Sequence, residues 1–153
     1  FNDLSSLDHY DAVIISDYCK GFIDHFTINY ITEKHPITFL DTKKLIVDTM
    51  NDVKFIKIND VEYEFSSSEM ADWWKEKMII TRGSKGAEYK DITYSVEEVD
   101  VRDTSGAGDT FLAGLVYAYI NEKNIESAIE FANKCATQVV QKKGTAKINK
   151  KEL

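Results

Sequence analysis

The amino-acid sequence predicts an α/β fold with a mostly parallel sheet. Short, continuous apolar runs recur along the first two thirds of the chain, and such runs are typical of strands buried on both faces. Segments with the three- and four-residue apolar spacing of helices lie between and after them. Short buried strands that alternate with helices indicate a parallel sheet covered on both faces. Ligands bind such sheets beyond the carboxyl ends of the strands, so the loops there are the first place to look for chemistry.

The individual elements follow from these patterns. The predicted strands are residues 12–16, 37–40, 55–58 and 78–81, followed by an antiparallel hairpin of residues 87–90 and 93–101. Helices are predicted over residues 22–34, 66–77, 106–120 and 125–141, and Ser67 or Ser68 is the expected N-cap of the second. The last two helices form a C-terminal pair. An uninterrupted apolar stripe on the final helix includes Cys135, which we expect to be a core residue rather than a reactive thiol.

Length, charge and cysteine content narrow the class of protein. The 153 residues correspond to one domain, and they begin with Phe1, so we expect a piece of a longer gene product. A net charge of −7 with few arginines argues against nucleic acid as a partner. No apolar run reaches the ~20 residues of a membrane helix. Cys19 and Cys135 are too few and too far apart for a disulfide scaffold or structural zinc, so we expect a reduced, cytoplasmic protein without membrane partners.

The most informative segment is a glycine-rich loop that follows a strand and opens a helix, Asp103-Thr104-Ser105-Gly106-Ala107-Gly108-Asp109-Thr110-Phe111. Glycines allow a tight turn, and the first N–H groups of a helix form an anion site. No segment matches the Walker loop of nucleotide-binding proteins. A dinucleotide-binding fingerprint is excluded because Phe111 occupies the position of its third glycine. A serine-hydrolase elbow is excluded because Asp103 occupies the position of its first glycine. Taken alone, the G-A-G-D letters are equally consistent with an ordinary helix N-terminus that has an acidic first turn.

The whole nonapeptide resembles the C-terminal D-T-x-G-A-G-D signature of the ribokinase-like (PfkB) carbohydrate kinases. This resemblance implies a three-layer α/β/α fold and ATP-dependent phosphorylation of a sugar or nucleoside hydroxyl. It assigns Asp109 as the base that accepts the hydroxyl proton. The amides of Gly106, Ala107 and Gly108 would stabilise charge on the transferred phosphoryl group. The chain matches only the C-terminal half of such a kinase, as a single partial domain over residues 1–153 that lacks the lid and much of the sugar pocket.

Two further segments occur in the order expected for that family. Asn59-Asp60-Val61-Glu62 resembles its N-x-x-E motif, which implies that Asn59 and Glu62 serve the nucleotide and that Glu62 assists Mg²⁺. The same two residues would also make a helix capping box. Thr81, Gly83 and Gly86 match a T-x-G-x-x-G nucleotide loop, and a simple glycine turn is the alternative interpretation.

The segment after the signature carries two weaker matches. Asn133 lies on the last predicted helix, where the family often has an asparagine near the adenine pocket. A solvent-facing asparagine beside an apolar stripe is the alternative. Lys143-Gly144-Thr145 resembles a family turn that follows this helix.

Segments in the first half narrow the predicted acceptor. Ser16-Asp17-Tyr18-Cys19-Lys20-Gly21 and Asp41-Thr42-Lys43 resemble stretches of the heptose 7-phosphate kinases, which implies substrate contacts from Asp17, Lys20 and Lys43. Both lysines are also consistent with ordinary surface residues. Thr42 stands where those kinases usually have proline, and Lys57-Ile58 replaces a Thr-Pro pair, so the loop geometry there departs from the family pattern.

The leading interpretation is therefore the C-terminal portion of an ATP- and Mg²⁺-dependent sugar kinase, with heptose 7-phosphate as the predicted acceptor. A kinase of the same fold for another sugar, sugar phosphate or nucleoside is one alternative. A nucleotide-binding or assembly module without catalysis is another. We expect residues 1–153 alone to be inactive. The expected partners are a small sugar or sugar phosphate and, for a homodimer, a second copy of the chain.

Overall fold

Four strands pair in parallel in the order in which they occur along the chain, in a computed structural model that describes residues 7–66, 71–149 and 151. Val13 lies opposite Thr38, Phe39 opposite Phe55, and Ile56 opposite Met78. The α/β class and the parallel sheet are therefore confirmed. The strands are β1 (Val13–Asp17), β2 (Thr38–Thr42), β3 (Phe55–Asn59) and β4 (Met78–Thr81).

The chain divides into two compact units. The first contains Phe1–Thr81 and Tyr89–Asp91, and the second contains Arg82–Glu88 and Ile92–Leu153. The core of the first unit includes apolar side chains from the strands, Ile28 and Ile31 of helix α1, and the indole of Trp74.

Helix α1 (His25–Lys34) begins three residues later than the sequence predicts. Asp24 is its N-cap, and the carboxylate accepts a hydrogen bond from the Thr27 amide at 2.7 Å. A capping side chain satisfies a donor that has no acceptor within the helix, so it determines where the helix starts.

The predicted helix over residues 66–77 is wrong. The structure has helix α2 (Asp60–Ser66) and a 3₁₀ turn over Asp72–Glu76 instead, while Ser67 and Ser68 lie outside the described residues. The physical reason is local. Asn59 and Glu62 form a capping box that starts a helix at Asp60, directly after β3, and the buried Trp74 belongs to a 3₁₀ turn.

Strands β5 (Ala87–Tyr89) and β6 (Ile92–Tyr94) are neighbours joined by a two-residue turn. Lys90 and Asp91 both have positive φ angles, of 51° and 61°, as the central residues of a type I′ hairpin turn do. The predicted strand over residues 93–101 is too long, because the strand ends at Tyr94.

The C-terminal helical pair is confirmed as α3 (Ala107–Glu122) and α4 (Ile125–Val140). Asn124 caps α4 by accepting hydrogen bonds from the amides of Glu126 and Ser127. The two helices approach closely at Gly114, where a Cβ would lie 3.0 Å from the Sγ atom of Cys135. Cys135 is fully buried, as predicted, and burial raises the pKa of its thiol. Within residues 7–66, 71–149 and 151, none of the helices has the length and apolar character needed to cross a bilayer.

Candidate phosphate-binding and acid–base site

The glycine-rich loop turns into helix α3 through a left-handed residue. Gly106 has a φ of 77° and is the N-cap of α3, and its carbonyl accepts the first helical hydrogen bond from Thr110 at 2.9 Å. No atom lies within 4 Å of the place where a Gly106 Cβ would be, so glycine is needed here for its backbone conformation and not for space. Gly106 is exposed, which leaves the start of the helix accessible to a ligand.

The first turn of α3 has the features of an anion site. Helix geometry gives the first N–H groups no acceptor inside the helix, and the helix dipole adds positive potential there. The Ala107 amide donates to the Thr104 carbonyl at 3.1 Å, and Gly108 is half-buried beside it. Asp109 lies in this same turn with an exposed side chain. The turn thus combines backbone donors suited to a phosphate with a carboxylate that can accept a proton.

Asp103 holds the loop in place, a role that was not predicted from the sequence. Its carboxylate accepts hydrogen bonds from the Ser105 amide at 2.8 Å and from the Gly144 amide at 3.0 Å. The bonds from Ser105, together with the bond from Gly144, lower the pKa of Asp103. The signal that could have found it was its position at the start of the matched nonapeptide. Asp103 thus ties the loop before α3 to the turn that follows α4.

The segment from Arg82 to Gly86 forms a tight loop, called the Arg82–Gly86 loop below. The Arg82 amide donates to the Gly86 carbonyl at 2.7 Å, and the Gly86 amide donates to the Gly83 carbonyl at 3.0 Å. The Arg82 guanidinium pairs with Glu88 at 3.0 Å. Gly83 and Gly86 both have positive φ angles, but only Gly86 is enclosed, because a Cβ there would overlap the Tyr94 carbonyl.

Thr81 ends strand β4 in the first unit, directly before this loop. Its hydroxyl donates to the Ile58 carbonyl at 3.3 Å.

Asn133 is buried at 6% exposure, so the alternative that it faces solvent is wrong. Its Nδ2 atom donates a hydrogen bond to the carbonyl oxygen of Tyr94 at 2.7 Å. This is the same carbonyl that encloses Gly86. Asn133 and the Arg82–Gly86 loop, which the sequence linked only through the family resemblance, therefore meet at one backbone oxygen.

In the first unit, Asp17 is the last residue of strand β1, and its buried carboxylate accepts hydrogen bonds from three neighbouring groups. It accepts hydrogen bonds from the Cys19 amide and the Thr42 hydroxyl, each at 3.0 Å, and it forms an ion pair with Lys44. Burial by itself raises the pKa of Asp17, but the three donors outweigh it, and the pKa lies below its ordinary value. Lys44, which the sequence analysis did not select, is thus the lysine that pairs with Asp17.

The two lysines that the sequence did select are both exposed. Lys20 lies between Cys19 and Gly21, which both have positive φ angles and turn the chain sharply after β1. The Nζ atom of Lys43 lies 5.1 Å from the centre of the Tyr18 ring, as in a cation–π contact.

Asn59 and Glu62 form the capping box that the sequence offered as an alternative. The Asn59 amide donates to Glu62 Oε2 at 2.9 Å, and the Glu62 amide donates to Asn59 Oδ1 at 2.8 Å. Among the described residues, no group of three or more histidine, cysteine or acidic side chains is placed to hold a metal. Mg²⁺ is commonly bound by one or two carboxylates together with phosphate oxygens, so a half-buried carboxylate such as Glu62 fits that manner of binding.

Comparison with known proteins shows the family to which the chain belongs. The pfkB family carbohydrate kinase domain matches residues 18–152. The chain belongs to the pfkB family of carbohydrate kinases. The bifunctional protein HldE of Marinomonas sp. (strain MWYL1) is 30% identical over 165 residues, which cover 94% of this chain and 34% of that protein. An ATP-dependent ribose-1-phosphate kinase of Halopiger xanaduensis is 33% identical over 98 residues, which cover 61% of this chain and 32% of that protein.

The chain has the same fold as part of a solved ribokinase. The ribokinase of Arabidopsis thaliana, solved with ribose and ATP, superposes with a TM-score of 0.70 at 21% identity, over 88% of this chain and 51% of that one. This pfkB chain spans about a third of the length of the two curated relatives and about half of the solved one.

The two loop glycines are predicted to differ in their tolerance of a side chain. Gly83→Ala adds only the strain of a left-handed alanine, about 1–2 kcal/mol, because the space around it is open. Gly86→Ala adds backbone strain at φ 89° and ψ −133°, a conformation that only glycine adopts readily, and an overlap with a backbone oxygen, so we expect a loss larger by at least about 1 kcal/mol. Urea unfolding of the two variants measures the difference, and equal losses would contradict the enclosure of Gly86.

A pH titration tests the role of Asp103. Because its pKa is lowered in the folded chain, its stabilising bonds are present above the ordinary pKa and are lost as the pH falls through the lowered one. We expect the amide proton resonances of Ser105 and Gly144 to move together in NMR spectra, with one shared midpoint below the ordinary pKa of an aspartate. Asp103→Asn is the control and should remove both transitions. Separate midpoints for the two amides would rule out a shared carboxylate.

Proposed function

We propose that this pfkB chain carries the nucleotide and proton-transfer half of an ATP-dependent kinase for a sugar or sugar phosphate. The observation that carries the proposal is the exposed first turn of α3, where backbone donors and Asp109 occur together. The family match over residues 18–152 and the similarity to kinases named for ribose and ribose 1-phosphate support it.

The proposed reaction uses this turn in two ways. The amides of Gly106, Ala107 and Gly108 bind oxygens of the transferred phosphoryl group, whose transition state is loose and rich in negative charge. The Asp109 carboxylate accepts the proton of the acceptor hydroxyl while the oxygen of that hydroxyl forms a bond to the γ-phosphorus of ATP. The bond from that phosphorus to the β,γ-bridging oxygen breaks, and ADP leaves. Because this chemistry depends on positioning more than on a strong base, an exposed aspartate is sufficient.

The nucleotide also needs a loop and a metal. In this proposal, Gly83 and Gly86 shape the loop that carries ATP, with Thr81 preceding it. Glu62, which Asn59 holds in the capping box, is the carboxylate that would assist Mg²⁺, and the metal would neutralise phosphate charge when bound with ATP.

Heptose 7-phosphate is the acceptor that we propose first. The S-D-Y-C-K-G segment after β1 and the D-T-K segment at the end of β2 resemble kinases for that sugar. The exposed ammonium groups of Lys20 and Lys43 suit a substrate that already carries phosphate, and Asp17 anchors the segment that bears Lys20. Ribose 1-phosphate is the second candidate, because a ribose-1-phosphate kinase aligns with this chain at 33% identity.

Substitution of the proposed base tests the mechanism. In the full-length protein, Asp109→Asn should lower kcat at least about 100-fold, the usual contribution of a positioned acid or base. The dissociation constant for ATP, measured by calorimetry, should change only a few-fold because the backbone donors are intact. Glu122→Gln, at the other end of the same helix, is the matched control and should retain full turnover. Near-normal turnover in Asp109→Asn would refute the assignment.

A substrate panel tests the acceptor. The full-length protein is assayed with heptose 7-phosphate, ribose 1-phosphate, fructose and adenosine, together with heptose and ribose lacking the phosphate. We expect the highest kcat/KM with heptose 7-phosphate, and a marked drop when its phosphate is absent. A higher value for ribose 1-phosphate would replace the first acceptor by the second, and ATP binding without transfer to any acceptor would favour a non-catalytic nucleotide-binding module.

A further inference from the structure

The carbonyl oxygen of Tyr94 is a junction between helix α4 and the Arg82–Gly86 loop. On one side it accepts a hydrogen bond from Nδ2 of Asn133 at 2.7 Å. On the other side it fills the space that a side chain on Gly86 would need. The Tyr94 carbonyl oxygen is therefore hydrogen-bonded to a side chain of α4, and it also limits how closely the Arg82–Gly86 loop can approach β6.

The position of Gly86 in turn sets the shape of the loop. Its carbonyl accepts the Arg82 amide at 2.7 Å and its amide donates to Gly83 at 3.0 Å, so the two ends of the loop close on this residue. A shift of the Tyr94 carbonyl would thus be transmitted to both bonds. The atoms nearest to the place where a Gly86 Cβ would be belong to the backbone of Tyr94 and Ser95, so they cannot rotate away as the end of a flexible side chain could.

The surroundings of Asn133 favour an internal role. Its side chain is almost fully buried, with 6% exposure, which leaves little surface for a base to contact. Glu126 and Glu130 lie two turns and one turn earlier on α4, and burial together with these two carboxylates raises the pKa of the Tyr94 phenol. This face of α4 therefore packs on β6 around Tyr94.

We infer that Asn133 is a positioning residue for the nucleotide loop, acting through the Tyr94 carbonyl, and does not itself read the adenine base. This inference rests on the proposed function, in which ATP binds to the Arg82–Gly86 loop. Specificity for the base then comes from other parts of the full-length protein. Asn133 should also affect the binding of every nucleotide whose phosphates lie on this loop to the same extent.

The test compares two amide-to-acid variants on the same helix. Asn133→Asp removes the donor to the Tyr94 carbonyl without changing the side-chain size. Gln138→Glu is the matched control, because Gln138 is also buried on α4 and donates from Nε2 to a backbone carbonyl, that of Asn149, at 3.1 Å. Calorimetry on the full-length protein measures the dissociation constants for ATP, GTP and inorganic tripolyphosphate. Asn133→Ala, which introduces no charge, is measured in the same way and replaces Asn133→Asp should the latter fail to fold.

Loss of one hydrogen bond corresponds to about a fivefold effect, so all three dissociation constants should rise by at least that factor in the Asn133 variants. The ratio of the ATP and GTP constants should stay at its wild-type value, and Gln138→Glu should leave all three constants unchanged. A changed ATP-to-GTP ratio with unaltered tripolyphosphate binding would overturn the inference in favour of direct base contact. Unchanged constants would overturn it as well. A wild-type protein that binds none of the three ligands would instead refute the proposed function.

Discussion

The left-handed turn at Gly106 is the constraint on which the proposed chemistry depends. A residue with a φ of 77° lets the chain leave the Asp103–Ser105 segment and enter α3 within one peptide unit, and no atom lies within 4 Å of the place where its Cβ would be. Asp103 stabilises this turn because its carboxylate accepts hydrogen bonds from the Ser105 and Gly144 amides. A rigid loop matters because preorganised donors need no rearrangement when charge develops on a transferred phosphoryl group.

Helix α4 connects the parts of the second unit that bear on function. It packs closely on α3 at Gly114, its last residue Val140 accepts the amides of Arg102 and Asp103, and its Asn133 holds the Tyr94 carbonyl. One buried amphipathic helix thus contacts α3, the segment before the glycine-rich loop, and strand β6. The apolar stripe that the sequence displayed on this helix is the physical basis of that arrangement, because it forces one face of α4 into the core.

Much of the fold could be predicted from local patterns, and the failures have identifiable physical causes. Continuous apolar runs predicted the parallel strands and strong apolar periodicity predicted the C-terminal helices, and the tertiary structure overrides neither pattern. The prediction of a helix over residues 66–77 was wrong because the Asn59–Glu62 capping box starts a helix earlier in the chain and because Trp74 is buried in a 3₁₀ turn. In the candidate site, the motif located Asp109 and the loop glycines, but partners such as Lys44 for Asp17 and Tyr94 for Asn133 are 27 and 39 residues away in sequence. Contacts at that separation leave no trace in spacing or periodicity.

The most direct test of this account is a crystal structure of the full-length protein with Mg²⁺ and a non-hydrolysable ATP analogue. We expect phosphate oxygens about 2.7–3.2 Å from the backbone nitrogens of the Gly106–Gly108 segment, which is the hydrogen-bond distance for N–H donors. We also expect the Asp109 carboxylate to lie beside the terminal phosphate, where an acceptor hydroxyl can enter. A nucleotide bound with its phosphates away from this turn, and with Asp109 remote from them, would contradict this expectation.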